Sequence, residues 1–162
     1  MREPSILYSL GDMTEDPTLV TGAVSKAFVV DHVTMNRGLE LSTRDFGSNY
    51  DKGRLGAEIA YTVGTEKLGL KDVVLVEPSK GGEDLYTKDG KVVIQARILT
   101  NPDDLSPTNL DKTLGVQLSD LVGDLKKDFD RTPTARTGYA ILSYLDPASN
   151  VIKTIVLEVL RA

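Results

Sequence analysis

The stretch 81–99, GGEDLYTKDGKVVIQARIL, narrows the choice of fold more than any other part of the chain. From Lys91 onward an extended segment carries apolar side chains on both faces. Val92, Ile94, Ala96 and Ile98 fall on one, and Val93, Gln95, Arg97 and Leu99 on the other. A strand apolar on both sides belongs in the interior of a sheet covered above and below. Gln95 and Arg97 are then long polar side chains in that interior, and they require partners. Ahead of them, Glu83 and Asp84 form an acidic pair, and Asp89-Gly90 predicts a hairpin turn of type I′.

The flanking sequence supplies the covering elements. Asp51 suits the cap of a helix over 52–68, whose buried side is Leu55, Ile59, Ala60, Val63 and Leu68, with Gly69 closing it. Glu58 sits beside that stripe. Strands follow at 73–76 and 85–87, and a helix carries the stripe Leu114, Leu118, Leu121, Val122, Leu125 and Phe129. Its outer face takes Asp120, Asp124, Lys126, Lys127 and Asp128, with Gln117 on the border. Strands at 138–145 and 151–160 finish the chain, and the apolar last one offers an edge for dimerisation. From residue 51 the order is helix, three strands, helix, two strands. Residues 1–50 read as an N-terminal extension packed on this core: a helix from Pro17 to a stop at Gly38, built on Leu19, Val20, Ala23, Val24, Ala27 and Val30, then a short strand at 39–42; the β-branched Val29, Val30 and Val33 leave a strand as the alternative for the second half of the helix.

At 162 residues the chain forms a single domain, with 1–50 as the extension and 51–162 as the core. The absence of cysteine excludes disulfides and thiolate metal sites, and the one histidine, His32, makes zinc or Ser-His-Asp chemistry a poor fit. A metal, if bound, is a hard cation held by oxygens. No apolar run reaches membrane-span length and no signal peptide is evident, so a cytoplasmic location is expected. The net charge of −5 weighs against a broad nucleic-acid surface.

The element order and four short motifs resemble the PD-(D/E)xK, or restriction-endonuclease-like, nuclease superfamily, including archaeal-type Holliday-junction resolvases. Gly53-Arg54-Leu55-Gly56-Ala57-Glu58 is similar to the helix motif, with Glu58 as its carboxylate. Glu83-Asp84-Leu85 is similar to the acidic strand motif. Val92-Val93-Ile94-Gln95-Ala96-Arg97 resembles the third-strand motif, with Gln95 and Arg97 at the acidic and lysine positions. Gln117 resembles a glutamine that several nuclease branches carry on the next helix.

The resemblance implies an α/β fold with a central mixed sheet flanked by helices. It implies a site in which Glu58, Asp84, Gln95 and Arg97 converge at one edge of the sheet. Asp84, Glu58, Gln95 and the Ala96 carbonyl would hold Mg²⁺ or Mn²⁺ for hydrolysis of DNA phosphodiesters, with Arg97 stabilising charge on the phosphate. DNA and a second copy of the chain are the partners it implies. An inactive domain of the same fold, serving a nucleic-acid or protein complex, is the alternative. The residues also admit a structural solution, with Asp84 paired to Arg97 and Gln95 completing the hydrogen bonds.

Overall fold

A computed structural model describes residues 8–35, 49–76, 82–149 and 151–162. It is an α/β structure built on a mixed sheet with two helices. The strands are β1 (Tyr8–Leu10), β2 (Met13–Glu15), β3 (Val24–Met35), β4 (Val73–Leu75), β5 (Leu85–Thr87), β6 (Val92–Leu99), β7 (Thr137–Leu145) and β8 (Ile152–Leu160). Helix α1 (Asn49–Glu66) precedes β4, and α2 (Leu110–Arg131) connects β6 to β7. The sheet order is β1-β3-β8-β7-β6-β5-β4, with β2 also paired to β3. Among the described residues β6 and β7 run parallel and the other pairings are antiparallel.

The N-terminal extension differs from the sequence expectation. Among its described residues 8–35 the helical piece is a 3-10 turn at Pro17–Leu19, with Asp16 as N-cap accepting from the Thr18 amide. Strands β1, β2 and β3 make up most of these described residues, and β3 is a full interior member of the sheet. Its buried apolar residues, Val24, Ala27, Val30 and Val33, recur at every third position. Register shifts between Val24/Lys26 and Val30/Val33, together with burial on both faces of the regular stretch at Ala27 and Val30, leave a spacing that imitates a helix. The expected helix stop at Gly38 and the strand at 39–42 lie outside the described residues, as do Pro78 and Gly81.

The rest of the core follows its periodicity closely. Ala57, Ile59, Ala60 and Val63 of α1 are buried, and the helix closes with the Leu70 amide bonded to the Gly64 carbonyl around Gly69 at φ 68°. Helix α1 touches β1, β4, β6 and β7, so the sheet wraps around it. A Cβ at Gly56 would stand 3.3 Å from the Ile98 amide, and one at Gly64 would meet Ile94. Helix α1 therefore lies on the Ile94/Ile98 face of β6. Helix α2 lies on the opposite face, seated on Gly138 of β7, where a Cβ would come within 3.0 Å of Leu125 and 3.1 Å of Phe129.

Three further expectations change. The hairpin at Asp89-Gly90 forms, with the Gly90 amide bonded to the Thr87 carbonyl. Only Gly90 takes positive φ there, so the turn is not type I′. Strand β8 is flanked by β3 and β7, which removes the edge proposed for dimerisation. Asp128, placed on the outer face of α2 by its charge, is fully buried.

Candidate functional site

The site is built on the α2 face of β6. Leu85 pairs with Ile94 and Tyr86 with Val93, which sets Asp84 opposite Gln95 just before β5 begins. The Asp84 amide donates to the Ile94 carbonyl at 2.9 Å, and its Oδ2 accepts from the Ala96 amide at 2.8 Å. Burial pushes the Asp84 carboxyl above the usual carboxylate range, opposed by the Ala96 hydrogen bond and the nearby Arg97 charge.

Gln95 is 6% exposed. Its Nε2 donates to Asp128 Oδ2 at 2.7 Å and to the Gly82 carbonyl at 3.2 Å. The other carboxylate oxygen, Asp128 Oδ1, accepts from Arg131 Nη2 at 3.1 Å. Burial raises the Asp128 carboxyl to about 6, against the Gln95 hydrogen bond that favours its ionised form, with the Glu83 charge raising it further. Arg97 turns to α2 as well, donating from Nη1 to Gln117 Oε1 at 2.6 Å and lying 3.8 Å from Asp124. It forms no ion pair with Asp84 among the described residues, so the expected structural Asp84–Arg97 pair is replaced by Arg97–Gln117 and Gln95–Asp128. Beside Arg97, an open depression of about 410 Å³ is lined by Ser119, Asp120, Gly123, Asp124 and Lys127.

Asp84, Gln95, Arg97 and Gln117 thus share one face, as their spacing predicts. Glu58 does not join them. On α1, across the sheet, its Oε2 accepts from the Tyr8 hydroxyl at 2.7 Å and its Oε1 from Arg54 Nε at 3.3 Å. The Tyr8 phenol, buried and facing that carboxylate, is held above its ordinary range.

The arrangement departs from the Mg²⁺ ligand set that the resemblance implies, because Glu58 is not part of it. Such an ion takes one or two carboxylates in near-octahedral geometry. Here one Asp84 oxygen is occupied by an amide, the Gln95 amide nitrogen is committed to Asp128, and Glu58 stands on the other face. It is the Ala96 N–H, not its carbonyl, that meets Asp84. Among the described residues no three His, Asp or Glu side chains are grouped closely enough to hold a metal ion.

Asp128 is the site residue that sequence reasoning missed. It falls three positions after Leu125 and seven after Leu121, on the buried stripe of α2, so helix arithmetic places it inward despite its charge. Tyr8 had no signal, because its partner is 50 residues away. Among the described residues no helix is long and apolar enough to cross a membrane. Comparison of the chain with protein-family models, curated proteins and solved structures found no match.

Proposed function

We propose that this chain is a restriction-endonuclease-like domain that does not hydrolyse phosphodiesters and serves as a structural or binding component of a larger complex. The order α1, an antiparallel β4-β5-β6 meander, α2 and a parallel β7 supports the fold reading, as do helices on both faces of the sheet. So does the location of Asp84, Gln95, Arg97 and Gln117 together on one face. The observation that carries the functional reading is the 2.7 Å hydrogen bond from Gln95 to buried Asp128. At the position where the resemblance calls for a metal-binding carboxylate, this chain has an amide whose donor is consumed within the fold. The net charge of −5 and the carboxylates of Asp120 and Asp124 beside Arg97 favour a protein over a nucleic acid as the partner.

Metal-dependent hydrolysis of DNA is the second reading, favoured by Asp84 and Arg97 on one face beside an open depression. One experiment separates the two. The chain is incubated with linear, branched and single-stranded DNA in Mg²⁺ or Mn²⁺, with and without chelator, and the same DNAs are run in gel-shift assays. The expected result is no cleavage, and none gained by Gln95→Glu with Arg97→Lys. Metal-dependent cleavage that is lost in Asp84→Asn overturns the proposal.

A further inference from the structure

We propose that the open edge of β6 at residues 96–99 receives an extended, basic segment of a partner protein, paired to it as an added strand. Such docking rests on the reading of this chain as a binding component rather than a hydrolase. Strand β5 pairs with β6 only as far as Ile94, whereas β7 follows β6 on its other side to Leu99. Burial changes at the same place: Val93, Ile94 and Gln95 are buried, and residues 96–99 are part-exposed. Ahead of β5 the chain turns out of the sheet, since the Gly82 carbonyl accepts from the Gln95 side chain on the α2 face.

Backbone direction alternates along a strand, so Ile94, Ala96 and Ile98 turn their amides and carbonyls toward this edge. The Ile94 carbonyl accepts from the Asp84 amide, and the Ala96 amide donates to Asp84 Oδ2. That carboxylate takes the place the carbonyl of a neighbouring strand would occupy. Beyond it, the Ala96 carbonyl and the Ile98 amide and carbonyl meet no partner among the described residues. A row of unpaired backbone groups on an interior strand is a template for one more strand.

The two faces beside the edge select what that strand carries. Ala96 and Ile98 make the α1 face apolar, while the α2 face is charged. There Asp120 and Asp124 line the depression of about 410 Å³ with Arg97 and Lys127, and the Asp84 carboxyl feels the Asp124 charge. Arg97 is already engaged by Gln117 and Asp124, and Asp120 makes no ion pair among the described residues. A segment alternating basic and apolar side chains satisfies both faces, its cations entering the depression beside Asp120.

Amide NMR of the full chain, titrated with a short blocked peptide of alternating lysine and valine, tests this. In the free chain the Ile98 amide is expected to exchange with solvent about tenfold or more faster than the Val93 and Arg97 amides, which face β7. The peptide is expected to shift the Ile98 resonance and to slow its exchange by a similar factor. A counterpart with glutamate in place of lysine, and one with an N-methylated backbone, are each expected to bind about tenfold more weakly. Asp120→Lys with Asp124→Lys is expected to reverse the preference between the lysine and glutamate peptides. An Ile98 amide already protected in the free chain overturns the proposal, as does one unmoved by the lysine peptide. So does binding indifferent to N-methylation, or single-stranded DNA that moves Ile98 where the peptide does not. Metal-dependent cleavage of DNA overturns the binding-component reading instead, and a separate cleavage assay scores it.

Discussion

The Nε2 of Gln95 donates to the Oδ2 of Asp128 at 2.7 Å, joining an interior strand to the last turns of α2 through two buried side chains. The same Gln95 nitrogen reaches the Gly82 carbonyl at 3.2 Å, so the connection before β5 is tied to the bond as well. Replacing the amide with a carboxylate, as Gln95→Glu does, removes both donors and sets two carboxyls against each other. At pH 7 this variant is expected to lose about 3–5 kcal/mol of unfolding free energy. The loss shrinks near pH 5, where the pair can share a proton. Urea titrations at the two pH values check both statements.

Asp128 makes stability depend on pH in a direction opposite to that of an ordinary paired carboxylate. Its folded value is raised from 3.8 to about 6. Below about pH 4 the folded and unfolded chains both hold the proton and the group contributes no difference. Between about 4 and 6 the unfolded chain releases its proton first, so stability falls as pH rises, by roughly 3 kcal/mol in all. Asp128→Asn keeps an acceptor for Gln95 and removes the titration. The wild-type minus variant difference in unfolding free energy is expected to decline across that window and to be flat above about pH 7. A constant difference from pH 4 to 7 contradicts the assignment.

Arg161 closes the C-terminal end of α2. Its Nη2 donates to the carbonyls of Phe129 at 2.6 Å and Thr132 at 2.8 Å, its Nε to Ala135 at 2.6 Å, and its guanidinium lies 5.1 Å from the Phe129 ring. Arg161→Ala leaves those acceptors without a donor and is expected to cost about 2–4 kcal/mol. Lysine cannot reproduce the planar fork, so Arg161→Lys recovers only part of it. Thermal unfolding of the three proteins ranks them.

Glu58 contributes to the fold rather than to the face bearing Asp84. Tyr8→Phe removes the 2.7 Å hydroxyl bond to its carboxylate and is expected to cost about 1–2 kcal/mol. Glu58→Gln can still accept from Tyr8 and is expected to cost less than about 1 kcal/mol. Neither change is expected to alter the Asp84 titration followed by carboxyl NMR. A shift there would place Glu58 electrostatically beside Asp84.

The core from α1 to β8 was legible because local periodicity reports burial directly. The buried stripe of α1, the Leu85–Thr87 strand, the two apolar faces of β6 and the order of elements all stand as read. The segment 24–35 is a strand where apolar spacing predicts a helix, because the register shifts in β3 and burial on both faces at Ala27 and Val30 set its buried residues three apart; the β-branched Val29, Val30 and Val33 are the local signal for the strand. The charge of Asp128 predicts an outward side chain, whereas its position on the α2 stripe turns it inward.

Alternation along β6 alone requires that Gln95 and Arg97 lie on one face of an interior strand and find polar partners there. Which partners they find was decided only in three dimensions. Gln95 takes Asp128, 33 positions along the chain, and Arg97 takes Gln117, while Asp84 turns to the Ala96 amide. Periodicity along a strand states that a buried polar group must be satisfied, because desolvation requires it. It carries no information about which distant helix face arrives above that strand, and that packing made Asp128 rather than Asp84 or Glu58 the acid bonded to Gln95.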